Sequence, residues 1–181
     1  MIPFKGSYWE IKNNSEIKIK SNLYPVPDLN LPFLGVHFSP DSINSKVSIG
    51  PTATLAFGRE NYKNLDSLEI VNSFKNISLL FNQYIQNKFK FRQYVHNQAF
   101  LFFQPFLFKE AKKLVPNLKY SDIKISKKIG IRPQLFNLEK DKIEDDFLCL
   151  NTTNSTHVLN AISPAFTSSF ALGDLIIERS N

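Results

Sequence analysis

A change of hydrophobic period along the chain limits its fold more than any other feature. Leu68, Val71, Phe74, Ile77, Leu80, Phe81 and Tyr84 recur at three- and four-residue spacing, which predicts an amphipathic helix within 65–115. A second helix is expected over 99–115, kinked near Pro105 and stopped by Pro116. On either side of this helical block the period falls to two or the apolar runs shorten. Residues 16–20 alternate polar and apolar, as a half-buried strand does. Residues 24–28 (Tyr-Pro-Val-Pro-Asp) form a stiff, donor-poor connection, because proline fixes φ and removes an N–H. A short apolar strand is expected over 33–38, a turn over 41–45 and its hairpin partner over 47–50. Strand patterns return at 123–125, 129–136, 147–150 and 157–159. A last helix is expected over 164–178, with Ser163 as N-cap and Pro164 as its first residue. Strands, then helices, then strands and a helix make an α+β chain.

The 181 residues include a single Cys and 43% apolar residues, enough for a real core and too few thiols for a disulfide scaffold or a multi-Cys metal site. The three histidines have no metal spacing, so no metal is expected. The 17 Phe and the 21% charged residues argue against disorder. The greasiest stretch, 99–108, is about half of the roughly 20 residues that a membrane span requires. The first residues lack a secretory pattern. A cytoplasmic chain, or one peripheral to an inner membrane, is expected. A net charge of +6 suits acidic partners. No RNA-recognition motif, zinc finger, P-loop, Gly-x-Gly-x-x-Gly or Gly-x-Ser-x-Gly occurs, which argues against nucleic acid as a partner. Lys109, Lys112, Lys113, Lys119, Lys124, Lys127 and Lys128, with Phe100, Phe102, Phe103, Phe106 and Phe108, suit an anionic membrane surface or a solvated lysine face over inward aromatics.

Three places carry residue types with chemistry. Arg132, within Gly130-Ile131-Arg132-Pro133, lies in an apolar strand pattern. A buried guanidinium there calls for an anion, either a bound carboxylate or an ion pair with Glu139, Asp145 or Asp146. His37 follows Gly35-Val36 and is either a general base near neutral pH or a satisfied structural histidine. The run Asn160-Ala161-Ile162-Ser163-Pro164-Ala165 passes through small residues into the expected helix start. Such a start either holds an anionic group or simply caps the helix. His96 and His157 read as solvated residues.

Eight blocks, in order, resemble one family. They begin at Phe4-Lys5-Gly6-Ser7-Tyr8, Tyr24-Pro25-Val26-Pro27-Asp28, Pro32-Phe33-Leu34-Gly35-Val36-His37-Phe38 and Gly50-Pro51-Thr52-Ala53-Thr54-Leu55-Ala56-Phe57. They continue at Leu114-Val115-Pro116, Gly130-Ile131-Arg132-Pro133-Gln134, Asp145-Asp146-Phe147-Leu148 and Asn160-Ala161-Ile162-Ser163-Pro164-Ala165. Together they resemble the C-terminal half of the L-2-hydroxyglutarate oxidases and dehydrogenases, flavoenzymes of the D-amino-acid-oxidase-like superfamily.

The resemblance implies a mixed or antiparallel substrate-domain sheet with helices over 1–128. Residues 129–181 would then be the closing strands and C-terminal helix of an FAD-binding domain whose N-terminal Rossmann part is absent. It implies FAD as cofactor, a dicarboxylate substrate and a separate Rossmann-containing chain, as in a fragment or split enzyme. It allows electrons to pass to oxygen or to a membrane quinone. By the same resemblance Arg132 binds the substrate carboxylate, with Tyr24 and Tyr8 lining the pocket. His37 takes the C2 hydroxyl proton, and Gly130, Asn160, Ser163, Pro164 and Ala165 lie on the cofactor side. Ser7, Thr52 and Phe166 depart from the usual acidic residue, Asn and Ala of the family. A non-catalytic dicarboxylate-binding or interaction protein on the same fold is the alternative.

Overall fold

The computed structural model describes residues 1–26, 35–63, 66–144 and 146–180. Along these residues run β1 (Ile2–Ile11), β2 (His37–Pro40), β3 (Val47–Gly50), β4 (Thr54–Leu55), α1 (Ile70–Gln86), α2 (Phe91–Leu101) and α3 (Gln104–Leu114). They continue with β5 (Ile123–Gln134), β6 (Phe136–Asn137), β7 (Lys142–Ile143), β8 (Cys149–Asn151), β9 (Thr156–Val158) and α4 (Ser169–Ser180). The result is α+β, with antiparallel strands and four α-helices among the described residues.

β1 is rich in Ile, Phe, Tyr and Trp, residues that suit a pleated surface packed on both sides. β5 pairs with it antiparallel from Ile2↔Gln134 to Ile11↔Ile123. That occupies one whole edge of β1, so β3 (Trp9↔Ile49) and β4 (Phe4↔Leu55) share the other. β2 joins outside β3 as the expected hairpin.

Side chains alternate across a strand, so β1 feeds two cores. Trp9 and Ile11 face one side with Phe38, Ile49 and Ile123, where Leu107 and Ala111 of α3 cover them. Ile2 and Phe4 face the other side with Phe136, against Leu79 and Leu80 of α1. The register of β1 and β5 shifts between Ser7 and Trp9, a bulge that leaves Ser126 to Lys128 opposite Tyr8. There Ser126 Oγ donates to Glu10 Oε2 at 3.1 Å and accepts the Lys128 N–H at 3.2 Å. The two strands expected over 123–125 and 129–136 are therefore one bulged strand, β5, closed by β6.

Several expectations need correction. Residues 16–20 form no strand, and Ile17 and Ile19 pack on the core from irregular chain. Both edges of β1 are already filled, while Leu23 takes the outer edge of β2 through a bridge to Phe38. The single kinked helix over 99–115 is two helices, with the break at Phe102 and Phe103 and Pro105 in the first turn of α3, where its missing N–H costs nothing. The closing helix starts at Ser169, not at Pro164. Residues 163–168 are turns in which the Pro164 carbonyl accepts from Thr167 Oγ1, Ser168 Oγ and the Ser168 N–H. Hydroxyl side chains that bond nearby backbone compete with helix in this way. The expected strand over 33–38 and connection over 24–28 fall partly outside the described residues; His37 and Phe38 are in β2.

α1 is amphipathic, but much of its apolar face points outward. Val71 is 82% exposed and Phe74 70%, while Ser73, Asn76 and Gln83 are buried. Ser73 Oγ donates to the Phe57 carbonyl at 2.8 Å, and Gln83 Nε2 to the Asp141 carbonyl at 2.8 Å. Polar anchors thus orient this helix as much as apolar burial does. No helix among the described residues is long and apolar enough to cross a membrane.

Candidate functional site

Cross-strand partners place their side chains on the same face of a sheet. Phe4↔Arg132 and Gly6↔Gly130 are such pairs, and His37↔Gly50 is another further across the sheet. On that face lies a cavity of about 440 Å³, lined by Phe4, Gly6, Tyr8, Tyr24, His37, Gly130 and Arg132, with Thr52, Ala53, Gln98 and the loop 161–163 around it. Its floor is the Gly6–Gly130 pair. A Cβ on Gly130 would meet nothing within 4 Å, so the floor there is open.

His37 Nδ1 lies 3.0 Å from the Gly35 carbonyl oxygen. A carbonyl only accepts, so Nδ1 carries the proton and Nε2 keeps its lone pair. Burial pushes the His37 pKa below its ordinary value; the Gly35 bond raises it in part, and Lys128 lowers it again. The ring is therefore neutral near pH 7 and can accept a proton. It lies against the Tyr24 ring, centroid to centroid 4.7 Å. Burial, and then Tyr24, push the Tyr8 hydroxyl pKa up, so Tyr8 stays a neutral donor. Lys128 Nζ stands 4.8 Å from the Tyr8 ring centroid, a cation–π contact from the bulge of β5.

Arg132 rises from β5 on the same face. Its Nη2 donates to the Ser163 carbonyl at 3.2 Å, which ties the guanidinium to the loop after β9. Burial lowers its pKa, but an arginine remains charged at any working pH. Tyr94 is close enough to the guanidinium for each to influence the other's charge; of the acids named above, Asp146 pairs with Arg179 at 3.5 Å and Asp145 lies outside the described residues. A planar, charged fork at a cavity wall suits a carboxylate.

The small-residue loop divides into two roles. Ala161, Ile162 and Ser163 reach the cavity, while Asn160, Pro164 and Ala165 do not line it. Asn160 is a structural clasp: its Oδ1 accepts the Leu148 N–H at 2.6 Å, and its Nδ2 donates to the Asp146 carbonyl at 2.7 Å. Since α4 starts at Ser169, no helix dipole issues from Ser163, and the positive end expected there is absent. Phe166 is 93% exposed, so it fills neither the cavity nor the core.

Two lining residues escaped the sequence reading. Thr52 Oγ1 accepts the Ser7 N–H at 3.2 Å. Gln98 Oε1 accepts the Ala53 N–H at 3.0 Å and so brings α2 to the site. Gln98 lies one helical turn after Tyr94, in a segment where the sequence singles out only His96, as a solvated residue. Among the described residues no group of three His, Cys, Asp or Glu side chains is arranged to hold a metal.

No protein-family model matches the chain. Curated proteins do. It is 37% identical to an L-2-hydroxyglutarate dehydrogenase of Indibacter alkaliphilus, over 98% of this chain and 43% of that protein. It is 32% identical to the mitochondrial L-2-hydroxyglutarate dehydrogenase of Mus musculus, over 99% of this chain and 39% of that one. It is 31% identical to the L-2-hydroxyglutarate dehydrogenase of Escherichia coli, over 98% and 41% respectively. The chain thus spans about two fifths of the length of these relatives, and the resemblance read from its ordered blocks is borne out.

Proposed function

We propose, from this similarity to L-2-hydroxyglutarate dehydrogenases, that the chain is the substrate-binding part of an FAD-dependent oxidoreductase that converts L-2-hydroxyglutarate to 2-oxoglutarate. Residues 1–128 are read as mainly substrate domain and 129–181 as the closing segment of an FAD domain, the boundary falling within β5. The rest of the enzyme, with its dinucleotide-binding Rossmann unit, comes from further polypeptide. The observation that supports the reading is that Arg132, a cation suited to a carboxylate, and His37, with its Nδ1–H on the Gly35 carbonyl, line one cavity.

The residues present fit a flavin edge. Gly130 leaves its part of the cavity floor open and Ala161 adds only a methyl group at the rim, while Pro51 packs over Gly6. A flat ring lies against the Gly130 end of that surface without displacing a side chain. FAD, when bound, supplies the acceptor for the two electrons and the hydrogen that leave C2. Gly130 and the backbone of 161–163 are the groups of this chain that would touch it; Asn160 holds that loop in place.

The chain's own residues do the remaining work. Arg132 binds the carboxylate next to C2 with its guanidinium fork and so turns the single C2 hydrogen toward the cavity floor. His37 Nε2 accepts the C2 hydroxyl proton, and the Gly35 carbonyl stabilises the resulting imidazolium through Nδ1–H. Tyr8 and Tyr24 offer hydroxyl donors to the substrate oxygens while their rings exclude water.

The test is titration of the isolated chain with L-2-hydroxyglutarate, followed by NMR. Shifts centred on His37, Arg132, Gly130 and Tyr24 are expected. Saturating ligand that leaves those resonances unmoved, in a folded chain, would overturn the reading.

A further inference from the structure

We propose that Gln98 recognises the second carboxylate of the substrate, the one remote from the hydroxyl carbon. The inference rests on the reading of the cavity as a 2-hydroxy-acid site and adds the residue that sets its preference for diacids.

The argument begins with the amide. The Ala53 N–H donates to Gln98 Oε1 at 3.0 Å, so the orientation of the amide follows from hydrogen-bond chemistry: the oxygen faces Ala53 and the NH₂ group lies on the other side. Gln98 lines the same cavity as Arg132 and His37, and it is half-buried. Among the described residues its Nε2 donates to no protein acceptor. Gln98 also borders an apolar hollow lined by Leu80, Phe81 and Val95, which suits a hydrogen-bond donor poorly, so its two N–H donors are assigned to an acceptor in the Arg132 cavity.

Their placement matches a diacid. Arg132 stands on β5 and Ala53 just before β4, on opposite edges of β1. Two inter-strand spacings separate those backbones by about 10 Å. Arg132 reaches inward from one edge and Gln98 approaches over the other from α2. Between them lies the Gly6–Gly130 pair, where Gly130 leaves the surface open and Pro51 packs over Gly6. A short dicarboxylate bridges the two, with its C2 carboxylate on Arg132 and its far carboxylate on the Gln98 amide. A monocarboxylate of similar length leaves the amide donors facing apolar carbon. Sites built to hydrogen-bond a polar group discriminate strongly in that situation.

Gln98→Glu separates recognition from architecture. Glutamate keeps the side-chain shape and an oxygen to accept the Ala53 N–H, but it removes both N–H donors and adds a negative charge. The chain is titrated by calorimetry with L-2-hydroxyglutarate and with L-2-hydroxybutyrate, which shares the C2 chemistry and lacks the second carboxylate. Wild type is expected to prefer the diacid by about tenfold or more, the weight of hydrogen bonds to a charged group. Q98E is expected to lose that preference, its added charge also weakening the anionic monoacid. Gln98→Leu, which adds no charge, is expected to lose it while its affinity for the monoacid changes less than about twofold. A diacid preference retained in both variants, or absent from wild type that binds both acids, overturns the role of Gln98 and leaves the site reading standing. Wild type that binds neither acid overturns both.

Discussion

Gly6 and Gly130 face each other as register partners across β1 and β5, and together they form the floor of the cavity. Their surroundings are unlike. A Cβ on Gly6 would lie 2.8 Å from Pro51 Cβ, whereas one on Gly130 would meet nothing. Gly6→Ala is therefore expected to destabilise the chain by about 1–3 kcal/mol, the range for overpacking. Gly130→Ala is expected to leave the thermal midpoint nearly unchanged and to weaken ligand binding, because its methyl group enters the cavity. Thermal melts of both variants, beside a ligand titration of Gly130→Ala, check the pair.

On the proposed reading His37 acts as a base only when neutral, so activity is expected to rise with pH. Burial holds its pKa below 6.5, and the acid limb of kcat/KM in the assembled enzyme is expected to have its midpoint below that value. His37→Gln should lower kcat by about 10²-fold or more, with substrate affinity little changed. The linkage has a matching sign. The native state binds fewer protons at His37 than the unfolded chain does, so its contribution to stability is complete above pH 6.5 and is lost as pH falls toward the depressed pKa. A pH–rate profile and pH-dependent denaturant melts read the two effects separately.

Arg132 is held by the Ser163 carbonyl and, on the proposed reading, offers a planar fork to the ligand. Lysine keeps the charge but not the fork. Arg132→Lys is expected to weaken L-2-hydroxyglutarate binding by about 10- to 100-fold, the weight of charge-assisted hydrogen bonds. Its affinity for a monocarboxylate should fall by a similar factor, because both ligands place their C2 carboxylate on the same group. Calorimetry with the two acids checks it.

Leu107 of α3 is fully buried between Trp9, Phe38 and Ile49. Leu107→Ala is expected to cost about 2–5 kcal/mol, from lost transfer free energy and the cavity left behind. Urea melts measure it directly. The same helix carries the exposed Lys113–Glu110 pair at 2.6 Å, and removing that pair should shift stability by less than about 1 kcal/mol.

The β2–β3 hairpin was legible because turn residues separate two short apolar runs, and local chemistry alone decides such a unit. The two-strand appearance of β5 shows where local reading stops. Ser126, Lys127 and Lys128 break the apolar pattern, but as a bulge opposite Tyr8 they leave the pairing continuous, which only the partner strand reveals. Residues 16–20 have a strand's pattern and lack an edge to join. The start of α4 misled for a different reason: Thr167 and Ser168 are compatible with helix but satisfy the Pro164 carbonyl instead.

At the site, Arg132 and His37 stood out because a cation and a titratable ring within apolar strands are expensive unless used. Their convergence on one cavity is a matter of strand register and lies beyond sequence spacing. Gln98 was not legible at all. An amide in a polar stretch of helix becomes informative only once Ala53 is seen to claim its oxygen. Asn160 shows the reverse case, a residue of the most suggestive block whose side chain is spent on holding the loop.

The account stands or falls on flavin reduction. The chain would be combined with the FAD-binding portion of one of its longer relatives, and the visible flavin band followed on adding L-2-hydroxyglutarate. The account predicts bleaching with wild type, strongly slowed bleaching with His37→Gln, and none with a 2-hydroxy acid too bulky for a cavity of about 440 Å³. A folded complex that binds FAD and L-2-hydroxyglutarate together, yet never bleaches, would contradict it.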